Sequence, residues 1–300
     1  MGGPMVVAVV VLVGCGVLVA GLWRRRPADV AELATADEYT AAVARHLRWT
    51  RWIAWPLAMG LATASITAFD EQSVIVAPVL AMLGVVVAFT VGELTAPVPA
   101  RMGPRSALLE PRVPVNYLSP AHRALWIASM VVAVVVATTA LMLAGETGRD
   151  ISLSCAAGGE TISPFPGLAY GAAGLWALVP VEVTGNMAFR RVTNRPASSV
   201  PAAAPADRLL RVATTYAVVR ATAAASLLVI GGVGFSAGTA LVHLGDGPCA
   251  AGWRVPLGWT FLVLAVLAAL GLVIVTVDAI GAGRSGSLRA VARQQQQQHQ

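Results

Sequence analysis

Apolar residues in this chain fall into long blocks separated by short polar stretches. The blocks cover residues 4–23, 52–69, 74–93, 124–144, 167–184, 213–242 and 256–277. Each reaches the roughly 17–25 positions with which a helix crosses about 30 Å of hydrocarbon. The pattern predicts an all-α fold, a polytopic membrane bundle of seven transmembrane helices. Three stretches share one outline: an arginine, an apolar run, a polar turn, and a second apolar run ending in an acid. They run 51–93, 123–182 and 220–278, so the chain reads as one helix followed by three helical hairpins. Residues 1–280 form this transmembrane domain and 281–300 a Gln-rich cytoplasmic tail expected to be disordered.

The polar stretches predict the rest. Residues 27–51 carry acids, arginines and a loose helical period, and feed the second block as an interfacial helix with Trp49, Trp52 and Trp55 at belt positions. Six prolines between residues 94 and 122 exclude a long helix there. Residues 185–207, basic and rich in Pro, Ala and Ser, read as a flexible loop. The sixth block is too long for one bilayer, so its first turns are expected to project from it and to leave Arg220 at the interface. Small residues at Ala221–Ala225 and at Gly231, Gly232, Gly234 and Gly238 allow close approach, which puts this helix at the centre.

Composition agrees: 57% of residues are apolar, 12% are charged, and the mean hydropathy is +0.72. Every basic residue is arginine, which excludes chemistry that needs a lysine amine, a retinal Schiff base included. The net charge of +6 does not point to nucleic acid, because no basic, aromatic-interleaved soluble module is present. Of the 21 arginines, 19 fall in four segments on one side of the threading, leaving Arg149 and Arg254 on the other. That bias predicts a multi-pass plasma-membrane protein with its N-terminus outside, its C-terminus in the cytoplasm and the lipid bilayer as its main partner. The first 23 residues lack the basic n-region of a signal peptide. Leu12, Val13, Gly14 and Cys15 resemble a lipobox, but the apolar run continues past Cys15, and a small buried thiol is the competing reading.

Two constellations stand out. Cys155 and Cys249 lie in the external loops of the second and third hairpins, where an oxidising compartment favours a structural disulfide. Glu93, Glu182 and Asp278 close the three hairpins at the cytoplasmic ends of their helices, where the helix dipole opposes them. Arg51, Arg123 and Arg220 open the outgoing helices at the same level and are the expected partners, as ion pairs or as the rim of a binding site. His243, Asp246 and Cys249 are too few to complete a metal site. His46 and His122 lie beside arginines and are expected to be exposed. No nucleophile elbow, phosphate loop, zinc-peptidase motif or dinucleotide fingerprint occurs, so neither catalytic residues nor cofactor are expected.

The segment 190–211, with Arg195-Pro196 followed by Asp207 and Arg211 leading into a span, resembles loops of uncharacterised multi-pass membrane proteins of high-GC actinobacteria. The lysine-free, Arg-, Ala- and Val-rich composition is similar across the whole chain. The resemblance implies a membrane protein that accompanies transport, and it carries no catalytic residues across. The reading is an accessory or scaffold-type membrane component, associated with a transporter. The alternatives are a small permease built from repeated hairpins and an intramembrane enzyme, for which no convergent nucleophile and base are visible.

Overall fold

A computed structural model describes residues 38–69, 73–97, 118–155, 158–163, 165–195, 204–245 and 252–281. They form α1 (Glu38–Phe69), α2 (Ser73–Leu94), α3 (Pro120–Leu143), α4 (Ala173–Asn194), α5 (Ala204–Gly245) and α6 (Arg254–Gly281). A π-helical turn, Gly167–Ala172, runs directly into α4. Five helical stretches, Ile75–Leu94, Pro120–Leu143, Gly167–Asn194, Ala206–Leu244 and Arg254–Val277, are long and apolar enough to cross a membrane. The expected second span is the C-terminal half of α1, which is not among those five. The apolar block 4–23 and the tail 282–300 lie outside the described residues.

Helix boundaries differ from the hydropathy boundaries for one physical reason: polar residues end an apolar block without ending a helix. No proline or glycine interrupts Glu38 to Trp55, so the expected interfacial helix and the second span are one 32-residue helix. Likewise α4 does not stop near Thr184 but continues through Arg190 and Arg191 to Asn194. The expected flexible loop 185–207 is therefore helix at both of its ends, with 196–203 outside the described residues. Helix α3 starts where its caps dictate: Ser119 accepts from the His122 amide, and proline occupies the first turn.

Between α3 and α4 the chain forms a two-stranded antiparallel hairpin that hydropathy did not announce. Strand β1 (Ile151–Cys155) pairs with β2 (Gly158–Ile162), with Ile151 opposite Ile162. It is tied down by Phe165 N–H to the Arg149 carbonyl and Leu168 N–H to the Gly148 carbonyl, each 2.8 Å. Gly148 adopts φ +67°, a conformation that favours glycine, and Gly167 backs so closely on Ala144 that a Cβ there would clash with its methyl. Phe165 and Ile151 plug this end of the bundle.

Helix α5 packs against all five other described helices, as its run of small residues predicts. Its crossing with α6 brings backbones together: a Cβ on Gly238 would lie 2.9 Å from the Gly258 carbonyl, and one on Gly258 3.0 Å from the Gly238 carbonyl. The α1/α2 crossing is as tight, with Gly84 set against the backbone of Ala58. Helices α3 and α6 are peripheral and carry exposed Val131, Val135, Val263, Leu267, Leu270 and Ile274. The first turns of α5 are not loose. Leu210 is buried with Val43 and Leu47 of α1 in a second, smaller apolar cluster, flanked by Tyr39 and Ala44.

Candidate functional site

At the end of the bundle opposite the hairpin, four charged side chains meet among α2, α4 and α5. Arg195, just past the end of α4, places Nη1 3.0 Å and 3.1 Å from the two carboxylate oxygens of Glu93, and Nη2 3.1 Å from Asp207 Oδ1. Arg211 donates from Nε to Asp207 Oδ2 at 2.8 Å, one helical turn along α5. All four side chains are at least nine-tenths buried. Two guanidinium groups against two carboxylates cancel, and these charge-assisted bonds are the condition under which burying such groups is tolerated.

Arg211 has a second task. Its terminal nitrogens donate to the carbonyls of Val192, Thr193 and Arg195, the last at 2.7 Å. These carbonyls lie at the C-terminus of α4, where acceptors lack intrahelical partners and the dipole favours a cation. The guanidinium thus caps α4 from the side of α5. Around this clamp, His46 Nε2 on α1 lies 3.2 Å from the Gly92 carbonyl and 3.0 Å from the Thr95 hydroxyl, tying α1 to the end of α2. Burial pushes the Tyr39 hydroxyl above its ordinary range, and the neighbouring Arg195 opposes that shift.

Glu182 is placed differently. The sequence puts it at the end of a helix, but α4 continues to Asn194 and leaves it in the helix interior. Gly174 packs at the level of Ile75, and Arg195 marks the level of Glu93. At 1.5 Å per residue Glu182 is about 12 Å from the first level and about 20 Å from the second, within the middle of the bundle. Its Oε2 accepts from the Trp126 indole N–H at 3.1 Å. The fully buried Ser226 hydroxyl of α5 interacts with the same carboxyl, although neither it nor Oε1 attains full hydrogen-bond geometry. Among the described residues no guanidinium forms an ion pair with Glu182.

The expected pairing of the three acids with Arg51, Arg123 and Arg220 is not what the structure holds. Glu93 takes Arg195, and Glu182 takes an indole. Arg220 is buried with its guanidinium 5.4 Å from the centre of the Tyr216 ring, Arg123 is exposed at the start of α3, and Arg51 is half-buried within α1. Asp278 lies in the last turns of α6, and its side chain is outside the described residues, as are Cys249 and the side chain of Cys155. His46 and His122, expected to be exposed, are both half-buried; His122 is bonded to Ser119 and stacked edge-on against Tyr216. Sequence reasoning missed Arg195, Asp207 and Arg211 as a site. The available signal was an Asp and an Arg four residues apart on one helix face.

Helices long and apolar enough to cross a membrane, packed around a charged knot, define a helical bundle of the multi-pass membrane class. Compared with protein families, with curated proteins and with solved structures, the chain gives no match.

Proposed function

We propose that this chain is a seven-span protein of the plasma membrane, with the block 4–23 as its first span, the N-terminus and β-hairpin outside, and the charge clamp at the cytoplasmic face. Its role is that of an accessory or scaffold component that holds a partner membrane protein, such as a transporter. The observation that carries this reading is the clamp. It fixes the ends of α2, α4 and α5 with several mutually neutralising bonds, which suits a rigid platform better than a moving gate. The exposed apolar faces of α3 and α6 supply contact surface within the bilayer.

The test is photo-crosslinking in native membranes from positions Val263, Leu267 and Ile274 of α6. A scaffold gives one discrete protein adduct from this face. Lipid adducts alone at all three positions would remove the scaffold role. Labelling a C-terminal tag on intact cells with a membrane-impermeant reagent checks the threading: the proposed orientation leaves it unlabelled.

A small permease is the second reading, favoured by the mid-bundle position of Glu182, since an ionisable residue at that depth is a functional candidate by default. Substrate flux into proteoliposomes that vanishes in Glu182→Gln while expression is kept would select it.

A further inference from the structure

Glu182 is the one described acid inside a candidate span that lies away from the span's ends, and its surroundings differ from those of a structural ion pair. It sits at the edge of an exposed stripe of α4 formed by Trp176, Val179, Val183 and Met187, so the side chain as a whole is half-buried, while Oε1 is covered and Oε2 is held by the indole. Its hydrogen-bond partner among the described residues is the neutral Trp126 indole, and the neutral Ser226 hydroxyl lies close by without a bond of its own. A carboxylate in hydrocarbon without a cation is strongly disfavoured and takes up a proton instead.

The charged and titratable groups on the elements packed against α4 lie elsewhere. Helix α3 brings His122 and Arg123 at its start, α5 brings Tyr216 about three turns and Arg220 about two turns before Ser226, with Asp207, Arg208 and Arg211 near its start and His243 near its end, α2 brings Glu93 at its end, and the π-helical turn brings Tyr170. Glu93 is consumed by Arg195 and His122 by Ser119 and Tyr216. None of them forms an ion pair with Glu182.

We propose that Glu182 is a proton-binding site within the bilayer, a carboxyl that takes up and releases one proton between α3, α4 and α5, with Trp126 and Ser226 as positioning residues. Uptake converts the carboxylate and one hydronium ion into the acid and water, and no other bond changes. The neutral acid keeps the Trp126 N–H on Oε2 and can donate its own O–H to Ser226. The carboxylate keeps the indole bond and turns Ser226 into a donor. Both protonation states therefore draw on the same two residues, the Ser226 bond needing only a side-chain adjustment that brings its Oγ and Oε1, each unpartnered as placed, into line. The inference rests on α4 crossing the bilayer and not on the scaffold role.

The test uses the full-length protein in lipid nanodiscs and dicyclohexylcarbodiimide, a lipophilic reagent that adds across a protonated carboxyl to give a stable acylurea. Peptide mapping by mass spectrometry locates the adduct. Glu182 gains one whole reagent, and above a midpoint the rate falls about tenfold per unit of pH, because the acid form is the reacting species. A water-soluble carbodiimide leaves Glu182 unmodified. Trp126→Phe removes a donor that favours the carboxylate and raises the labelling rate at neutral pH about tenfold. An unmodified Glu182 from about pH 5 to about pH 9, or a rate flat across that range, overturns the proposal, and the wild-type protein alone decides this. Absence of a crosslinked partner in the α6 experiment would leave it standing.

Discussion

The clamp and Glu182 lie about 20 Å apart along one helix and handle buried charge in opposite ways. At the clamp, two acids and two arginines pair so that the knot is electrically neutral, and their side chains are buried from water. At Glu182 a single acid holds one indole bond, leaves Oε1 covered and unpartnered beside the Ser226 hydroxyl, and forms no ion pair among the described residues. The difference teaches where each kind of site belongs. Near the bundle's end, charged residues from three helices can converge, so pairing is available. In the middle, where the helices supply Val, Ala and Gly, an acid must either find a distant cation or become neutral.

The contrast is most easily broken at Arg195. Arg195→Met leaves Glu93 and Asp207 buried without their shared cation, and the expected loss is about 3–5 kcal/mol of stability, read from unfolding in nanodiscs. A smaller effect is expected at Gly185, which lies on α4 between the two sites. A Cβ there would meet Thr222 Cγ2 at 2.7 Å, so Gly185→Ala pushes α4 from α5 and costs about 1–3 kcal/mol. Glu182→Gln should change stability by less than about 1 kcal/mol, because the amide oxygen still accepts from Trp126. A loss at Glu182 equal to that at Arg195 would erase the distinction between the two sites.

The smallest effect belongs to Tyr39. Because burial raises its hydroxyl in the folded protein, the unfolded chain loses this proton first as pH increases. Stability is then unaffected by Tyr39 below about pH 10 and declines above it. Tyr39→Phe removes that alkaline decline, which unfolding midpoints between about pH 9 and pH 11 would reveal.

Much of this bundle was legible because lipid-solvated helices announce themselves by composition. The blocks 74–93, 124–144 and 256–277 nearly coincide with α2, α3 and the membrane part of α6, and the Gly/Ala-rich run from Ala221 to Gly238 marked the central helix. The clamp was not legible. Arg195, Asp207 and Arg211 sit in a stretch whose polarity looks like a loop, and only tertiary contact with Glu93 makes it a buried junction. Glu182 was misplaced by the same rule: hydropathy fell after Thr184 although α4 continued, so a mid-helix acid looked like a terminal one. The β-hairpin was not read from hydropathy because its strands are only five residues each and mix Ile151, Leu153 and Ile162 with Ser, Thr, Glu and Gly.

The account stands most directly on the claim that Glu93 and Arg195 act as one unit. Unfolding of Glu93→Gln, Arg195→Met and the combined variant in nanodiscs measures it. The account predicts that the double variant loses about 2–3 kcal/mol less than the two single losses added together, since removing both charges spares the cost of orphaning either. Losses that simply add, to within about 0.5 kcal/mol, would contradict it.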